Sequence, residues 1–146
     1  MVALDNYPSG LIEALDRKGV AADKLMLIAK CDMNKEGAHC DCFLAATAEE
    51  LLVISGITTL REKKGLTKNA KLLSGAAASR LEAAFEELSY ECFMLADTTD
   101  FRVEELLSSA RLVAKDKKSD RDVLIAVFTN TSKSEMNLFC KYIAKV

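Results

Sequence analysis

Two neighbouring stretches alternate in step, and that agreement restricts the fold more than any other feature of the chain. Leu25, Leu27, Ala29, Cys31 and Met33 alternate with Lys24, Met26, Ile28, Lys30 and Asp32. Ala38, Cys40, Cys42, Leu44 and Ala46 then recur at every second position. Period-two patterning marks a strand with one face toward a core. Between the two lies Asn34-Lys35-Glu36-Gly37, whose Asn and Gly tolerate positive φ, so the strands form a hairpin. A four-residue turn sets Met33 opposite Ala38, Cys31 opposite Cys40 and Ala29 opposite Cys42. Opposed residues share a face, so the odd apolar set of one strand meets the even set of the other. A one-residue slip would turn His39 and Asp41 into the core.

The far end of the chain sets the second constraint. Val123-Leu124-Ile125-Ala126-Val127-Phe128 is too apolar for a half-exposed strand and is expected to be covered on both sides. After Thr129-Asn130-Thr131, Ser132 and Glu135 have capping-box spacing. Met136, Phe139, Cys140 and Ile143 follow as one helical stripe, with Lys141 and Lys145 off it. A lone helix of about 15 residues is marginal in water, so this stripe must pack on something.

The remaining segments give the order. Ser9 to Gly19 reads as a helix, with Ser9 as cap, Leu11, Ile12 and Leu15 on one face and Gly19 at the C′ position. A third strand runs from Leu51 to Ser55 and ends at Gly56. In Arg80 to Leu88 propensity favours helix, while Tyr90 to Leu95 favours strand; a strand is expected over at least Ser89 to Leu95. Phe101 to Leu106 and Ala110 to Lys115 are further strands, and Lys117 to Asp120 is a turn into the last. The whole is one α+β domain over 1–146: a helix (9–19), three strands (24–56), a basic insertion (57–79), four strands (80–128) and a capping helix (132–145). About seven antiparallel strands form a curved sheet or barrel closed by the C-terminal helix.

Composition narrows the class. The chain is 50% hydrophobic and 29% charged, which is globular. A net charge of −2 gives no pull toward nucleic acid. No apolar run approaches the ~18 residues of a membrane span, and no secretory leader pattern is visible. Five cysteines, an odd count, fit free thiols in a reducing cytoplasm.

His39-Cys40-Asp41-Cys42 with Cys31 invites a zinc reading, because zinc takes four Cys or His ligands in a tetrahedron. The alternation puts Cys31, Cys40 and Cys42 on one face and His39 on the other, which removes the obvious fourth ligand. Buried cysteine packs as a small hydrophobe, and that is the preferred reading of all three; metal coordination is the competing one. The same geometry denies the thiols a base, so no catalytic residue is assigned. There is no P-loop to cradle phosphates, and no cofactor is expected. Adjacent acidic pairs such as Glu49-Glu50 and Glu104-Glu105 point to opposite sheet faces and make poor acid–base partners. Arg61, Lys63, Lys64, Lys68 and Lys71 face only Glu62. They read as a solvated connection or as a contact for anionic lipid headgroups. No aromatic residue interleaves them for base stacking.

Taken in order, several pieces resemble the cytosolic N-terminal domain of Gram-positive-type bacterial ABC transporters, those with a fused exporter-like membrane and ATPase half. They are Asp32-Met33-Asn34-Lys35-Glu36-Gly37, Leu44 to Thr47 with Leu51 to Gly56, Val103-Glu104-Glu105-Leu106, and Phe128-Thr129-Asn130 leading to Met136, Phe139 and Tyr142. The resemblance implies a pleckstrin-homology-like fold, with which seven strands and a capping helix agree. It also implies a non-catalytic interaction or regulatory role at the cytosolic face of the plasma membrane. The partner would be the transmembrane and ATPase part of the parent transporter, or another protein, and ATP chemistry would belong to that missing part. The alternative expectation is a stand-alone cytoplasmic protein that binds a small ligand or metal on the Cys31, Cys40, Cys42 face; an unrecognised enzyme ranks last.

Overall fold

The computed structural model describes residues 1–62 and 81–144. Among the described residues eight strands and two α-helices follow in order: β1 (Val2–Ala3), α1 (Ser9–Arg17), β2 (Leu27–Met33), β3 (His39–Ala46), β4 (Glu50–Glu62), β5 (Leu81–Met94), β6 (Thr98–Glu105), β7 (Ser109–Asp116), β8 (Asp122–Thr129) and α2 (Lys133–Ile143). They form a five-stranded sheet ordered β1-β2-β3-β4-β5 and a three-stranded sheet ordered β6-β7-β8. Among the described residues no ladder joins the two, so the sheets are stacked and not closed into one barrel. All pairings are antiparallel except β1 with β2, which is parallel and only two residues long; the sequence reading did not anticipate it.

The large sheet is buried on both faces. Its inner face carries Leu27, Ala29, Cys31, Cys42, Leu44 and Leu51, which meet Leu112, Ile125 and Phe128 of the small sheet. Its outer face carries Ile28, Phe43, Ala45, Leu52 and Ile54, which meet Leu11, Ala14 and Leu15 of α1. Double-sided burial follows from near-continuous apolar runs, Phe43 to Ala46 and Leu51 to Ile54, in place of strict alternation. Met136, Phe139 and Ile143 of α2 are buried in the inner core as the stripe requires, with Cys140 half-buried beside them.

The helix ends differ from expectation at their starts. The N-cap of α1 is Pro8, and Ser9 is its first helical residue. At its other end Gly19 has φ +87°. The Gly19 N–H donates to the Asp16 carbonyl at 2.9 Å and the Val20 N–H to the Leu15 carbonyl at 3.0 Å, a complete Schellman stop. Helix α2 begins after a 3-10 turn at Asn130–Ser132, and Ser132 makes no side-chain capping bond. The expected capping box does not form.

The first hairpin keeps its faces but not its register. Cys31 stands opposite Cys42 and Ala29 opposite Leu44, while Met33 stands opposite His39. Two one-residue shifts produce this. The Asn34 N–H donates to the Ala38 carbonyl at 2.9 Å and Gly37 takes φ +83°, so the loop has three residues and not four. A bulge then sets Cys40 and Asp41 against Asp32 alone. Two odd shifts sum to an even one, so from Cys31 to Leu27 the odd apolar set still meets the even set, and only Met33, between the shifts, meets His39.

Strand β4 does not stop at Gly56. It runs on to Glu62, pairing with β5 from Leu81 opposite Glu62 to Met94 opposite Glu50. Ile57 to Glu62, expected in a loop, are therefore strand; Lys63 to Ser79 lie outside the described residues. Gly56 is instead the site of a second bulge, where Leu88 has no partner across the ladder. Beyond it β3 no longer flanks β4, and the Asp41 carboxylate accepts the Thr58 N–H at 2.8 Å in place of a ladder bond. The bulge bends β5 over the outer face, where Phe85 meets Phe43 edge-on with ring centroids 5.7 Å apart. Leu81 to Leu88, part of a stretch that is helix by propensity, is recruited as strand because β4 offers it a ladder and α1 covers Phe85; Arg80 lies outside the described residues.

A Cβ on Gly56 would lie 2.1 Å from the Glu86 carbonyl oxygen and 2.7 Å from Phe85 Cζ. Both the backbone of β5 and a packed ring would have to move. Gly56→Ala is therefore expected to cost at least about 2 kcal/mol, read as a lower urea midpoint with an unchanged slope.

Candidate functional site

A cavity of about 100 Å³ opens between the two sheets beside the first hairpin. Its walls include Cys42, Val53, Ser55, Ser89 and Ile125, and its rim is the Asn34–Glu36 backbone with Glu91. The Ser55 and Ser89 hydroxyls are hydrogen-bonded to each other across β4 and β5. From the three-residue loop, Lys35 reaches over the rim: its Nζ lies 2.7 Å from Glu91 Oε2 and 5.3 Å from the centroid of Phe93. Both partners keep solvent contact, so the ion pair is worth only about 0.2–1 kcal/mol.

Of the five thiols, Cys42 lines this cavity. Cys31 and Cys42 are fully buried on the inner face. The Cys31 thiol donates to the Val127 carbonyl at 3.0 Å, crossing from β2 to β8, and makes a longer 3.4 Å contact to the Met33 carbonyl. The Cys42 thiol is held strongly in its protonated form, first by its hydrogen bond to the Cys31 sulfur and then by burial. Burial also raises Cys40, Cys92 and Cys140, the last to about 11. Cys40 sits in the bulge, half-buried at the edge of the inner core. His39 is exposed and paired with Met33. Among the described residues no three of His, Cys, Asp and Glu converge in a way that could hold a metal ion.

A second inter-sheet tie lies next to the first. The Asp32 carboxylate accepts the Thr129 N–H at 2.9 Å through Oδ1 and the Thr129 hydroxyl through Oδ2. Asp32 is the residue that the bulge singles out, so the irregularity in the hairpin delivers a carboxylate to the entry of α2. Opposite, the outer face of the small sheet is a solvated charge network: Arg102 contacts Asp100, Glu104 and Asp122, and Arg111 contacts Glu104. The Arg102 guanidinium holds the Asp122 carboxyl below its ordinary range.

Of the basic residues singled out in the sequence, Arg61 lies on β4 opposite Glu82. Lys63, Lys64, Lys68 and Lys71 fall outside the described residues. The rim pair Lys35–Glu91 and the tie Asp32–Thr129 went unnoticed in the sequence. Their partners are 56 and 97 positions apart, and no local pattern joins them. No helix formed by the described residues is long and apolar enough to cross a membrane. Comparison with known proteins returns no match: no family model, no curated protein and no solved structure is significantly similar to the chain.

Two measurements check these contacts. Asp32→Ala is expected to lower stability by about 2 kcal/mol, because it strands the Thr129 N–H and hydroxyl; Asp32→Asn, which keeps one acceptor, should lose less. The Cys140 thiol keeps its proton from the ordinary 9.0 up to about 11. Iodoacetamide at pH 8 should therefore modify it about 100-fold more slowly than in the unfolded chain. The sign for stability follows: this contribution is fully present below pH 9 and is lost as pH rises through 11.

Proposed function

We propose that the chain is a non-catalytic interaction domain of pleckstrin-homology-like architecture that serves the membrane-spanning and ATPase part of a bacterial ABC exporter. The order of a long-stranded sheet, a three-stranded sheet and a terminal helix seated between them supports the architecture. Architecture alone does not identify a ligand, so the role rests on a surface.

One observation carries it. Leu106 and Leu107, at the tip between β6 and β7, are exposed, Leu107 completely. On the outward side of α2, Leu138 and Tyr142 are also exposed and stand one helical turn apart. An ion pair between Lys133 and Glu105 fixes the start of α2 to the base of that tip. Two apolar pairs on adjoining elements are what a protein–protein contact uses: desolvated Leu and Tyr side chains at its centre, charges at its rim. The resemblance of the sequence to exporter N-terminal domains supplies the partner class. The alternative, a small-ligand protein using the Cys31, Cys40, Cys42 face, is less well supported, since the cavity beside Cys42 has about 100 Å³ against the roughly 300–1,000 Å³ of ligand sites.

Binding of the domain to a detergent-solubilised exporter core from the same genome tests the reading. The unmodified domain is expected to bind, and Leu107→Asp with Leu138→Asp should weaken binding at least about tenfold, or about 1.4 kcal/mol, with an unchanged circular dichroism spectrum. Absence of binding by the unmodified domain, or equal binding by the double variant, would overturn it. Flotation with anionic vesicles, sensitive to neutralising Lys63, Lys64 and Lys68, would point to the lipid surface instead.

A further inference from the structure

The interaction surface leaves one cluster of reactive groups unused, the facing thiols of the inner core. Cys31 and Cys42 occupy directly opposed positions on β2 and β3. Opposed residues of an antiparallel pair have Cα atoms about 4.5 or 5.5 Å apart, and both values lie in the roughly 4.4–6.8 Å range that a disulfide spans. The ladder breaks at the bulge immediately beyond the pair, so the strands can adjust there without disturbing a regular run of hydrogen bonds. Both side chains lie on the same inner face, among the buried residues of one core.

We propose that Cys31 and Cys42 are a redox-active dithiol that closes to an intramolecular disulfide when the protein meets a two-electron oxidant of the peroxide class. Access is through the cavity that Cys42 lines, about 100 Å³ in volume. A water molecule occupies about 30 Å³, so hydrogen peroxide fits and a glutathione disulfide does not. The step balances. One sulfur, as thiolate, attacks a peroxide oxygen, the O–O bond breaks, and the departing hydroxide takes up the thiol proton as water. The facing thiol then attacks the resulting sulfenic sulfur, the S–O bond breaks, and the oxygen leaves as a second water with the second thiol proton. Two electrons pass from the sulfur pair to the peroxide. Burial keeps both thiols inert to bulkier reagents, which gives the pair its selectivity.

Closure has a structural consequence. The hydrogen lost from Cys31 is the one it donates to the Val127 carbonyl, so oxidation deletes a bond between β2 and β8 while it adds a covalent one between β2 and β3. The Asp32–Thr129 tie, one residue along, then remains as a side-chain hydrogen bond between β2 and the end of β8. The redox state of the pair is thereby linked to the seating of α2.

The test is mass spectrometry of the folded chain after brief exposure to dilute hydrogen peroxide, quenched by alkylation and mapped by proteolysis. The expected product is a monomer lighter by two hydrogens, with two of the five thiols protected, a linked peptide joining Cys31 to Cys42, and full reversal by dithiothreitol. The variant Cys40→Ser, Cys92→Ser, Cys140→Ser should form the same link, and Cys42→Ser should not. Should either variant fail to fold, the peptide map of the unmodified chain decides alone. Five alkylatable thiols after peroxide, a link to any other cysteine, or a link between chains would overturn the proposal. The urea-unfolded chain is the control and should give mixed pairings.

Discussion

Burial of the large sheet on both faces is the constraint on which the rest of the structure depends. A strand covered on one side only needs one core; β2, β3 and β4 need two. The small sheet and α2 supply the inner one, and α1 with the curled end of β5 supplies the outer one. Every fully buried Leu, Ile or Phe side chain of these strands is worth about 1.5–3 kcal/mol relative to exposure. Neither cover could be lost without exposing a continuous apolar surface. This explains why a nine-residue helix, too short to persist alone, is stable here, and why its end carries a complete Schellman stop with Val20 and Leu15 both buried.

The two bulges reconcile that double burial with connection to the rest of the chain. At the first, one extra residue in β3 singles out Asp32, whose carboxylate then crosses to Thr129. At the second, Gly56 and the unpaired Leu88 let β5 bend so that Phe85 lies on Phe43 and α1. Bulges raise local twist and re-aim side chains. Here each one converts a flat ladder into a contact between layers. The cost is a short run of exposed apolar surface, at Ile57 and Leu88, where β3 no longer flanks the hairpin.

The cavity, the facing thiols and the rim pair all sit at the first of these irregularities. Its small volume and its two hydroxyls, one thiol and one carboxylate make it a place for water-sized molecules. The surface read as a docking site lies elsewhere, on α2 and the β6–β7 tip. The helix thus has two unlike sides: Met136, Phe139 and Ile143 lock it into the inner core, while Leu138 and Tyr142 are exposed.

What the sequence determined by itself was periodicity. The hairpin of β2 and β3, the identity of its inner face, the stop at Gly19 and the buried stripe of α2 were all legible, because each is a local pattern enforced by backbone geometry. The inward placement of Cys31 and Cys42 was legible for the same reason. Tertiary structure decided the rest. Whether Ser132 caps a helix depended on the 3-10 turn and on Asp32, 97 positions from Thr129. Whether Leu81 to Leu88 is helix or strand depended on β4 offering a ladder. Which cysteine faces Cys31 depended on two one-residue shifts that leave the alternation of faces intact and so leave no trace in it. Side-chain patterning reports which face a residue occupies; partner identity is a sum over turns, bulges and distant contacts, and only the folded chain performs that sum.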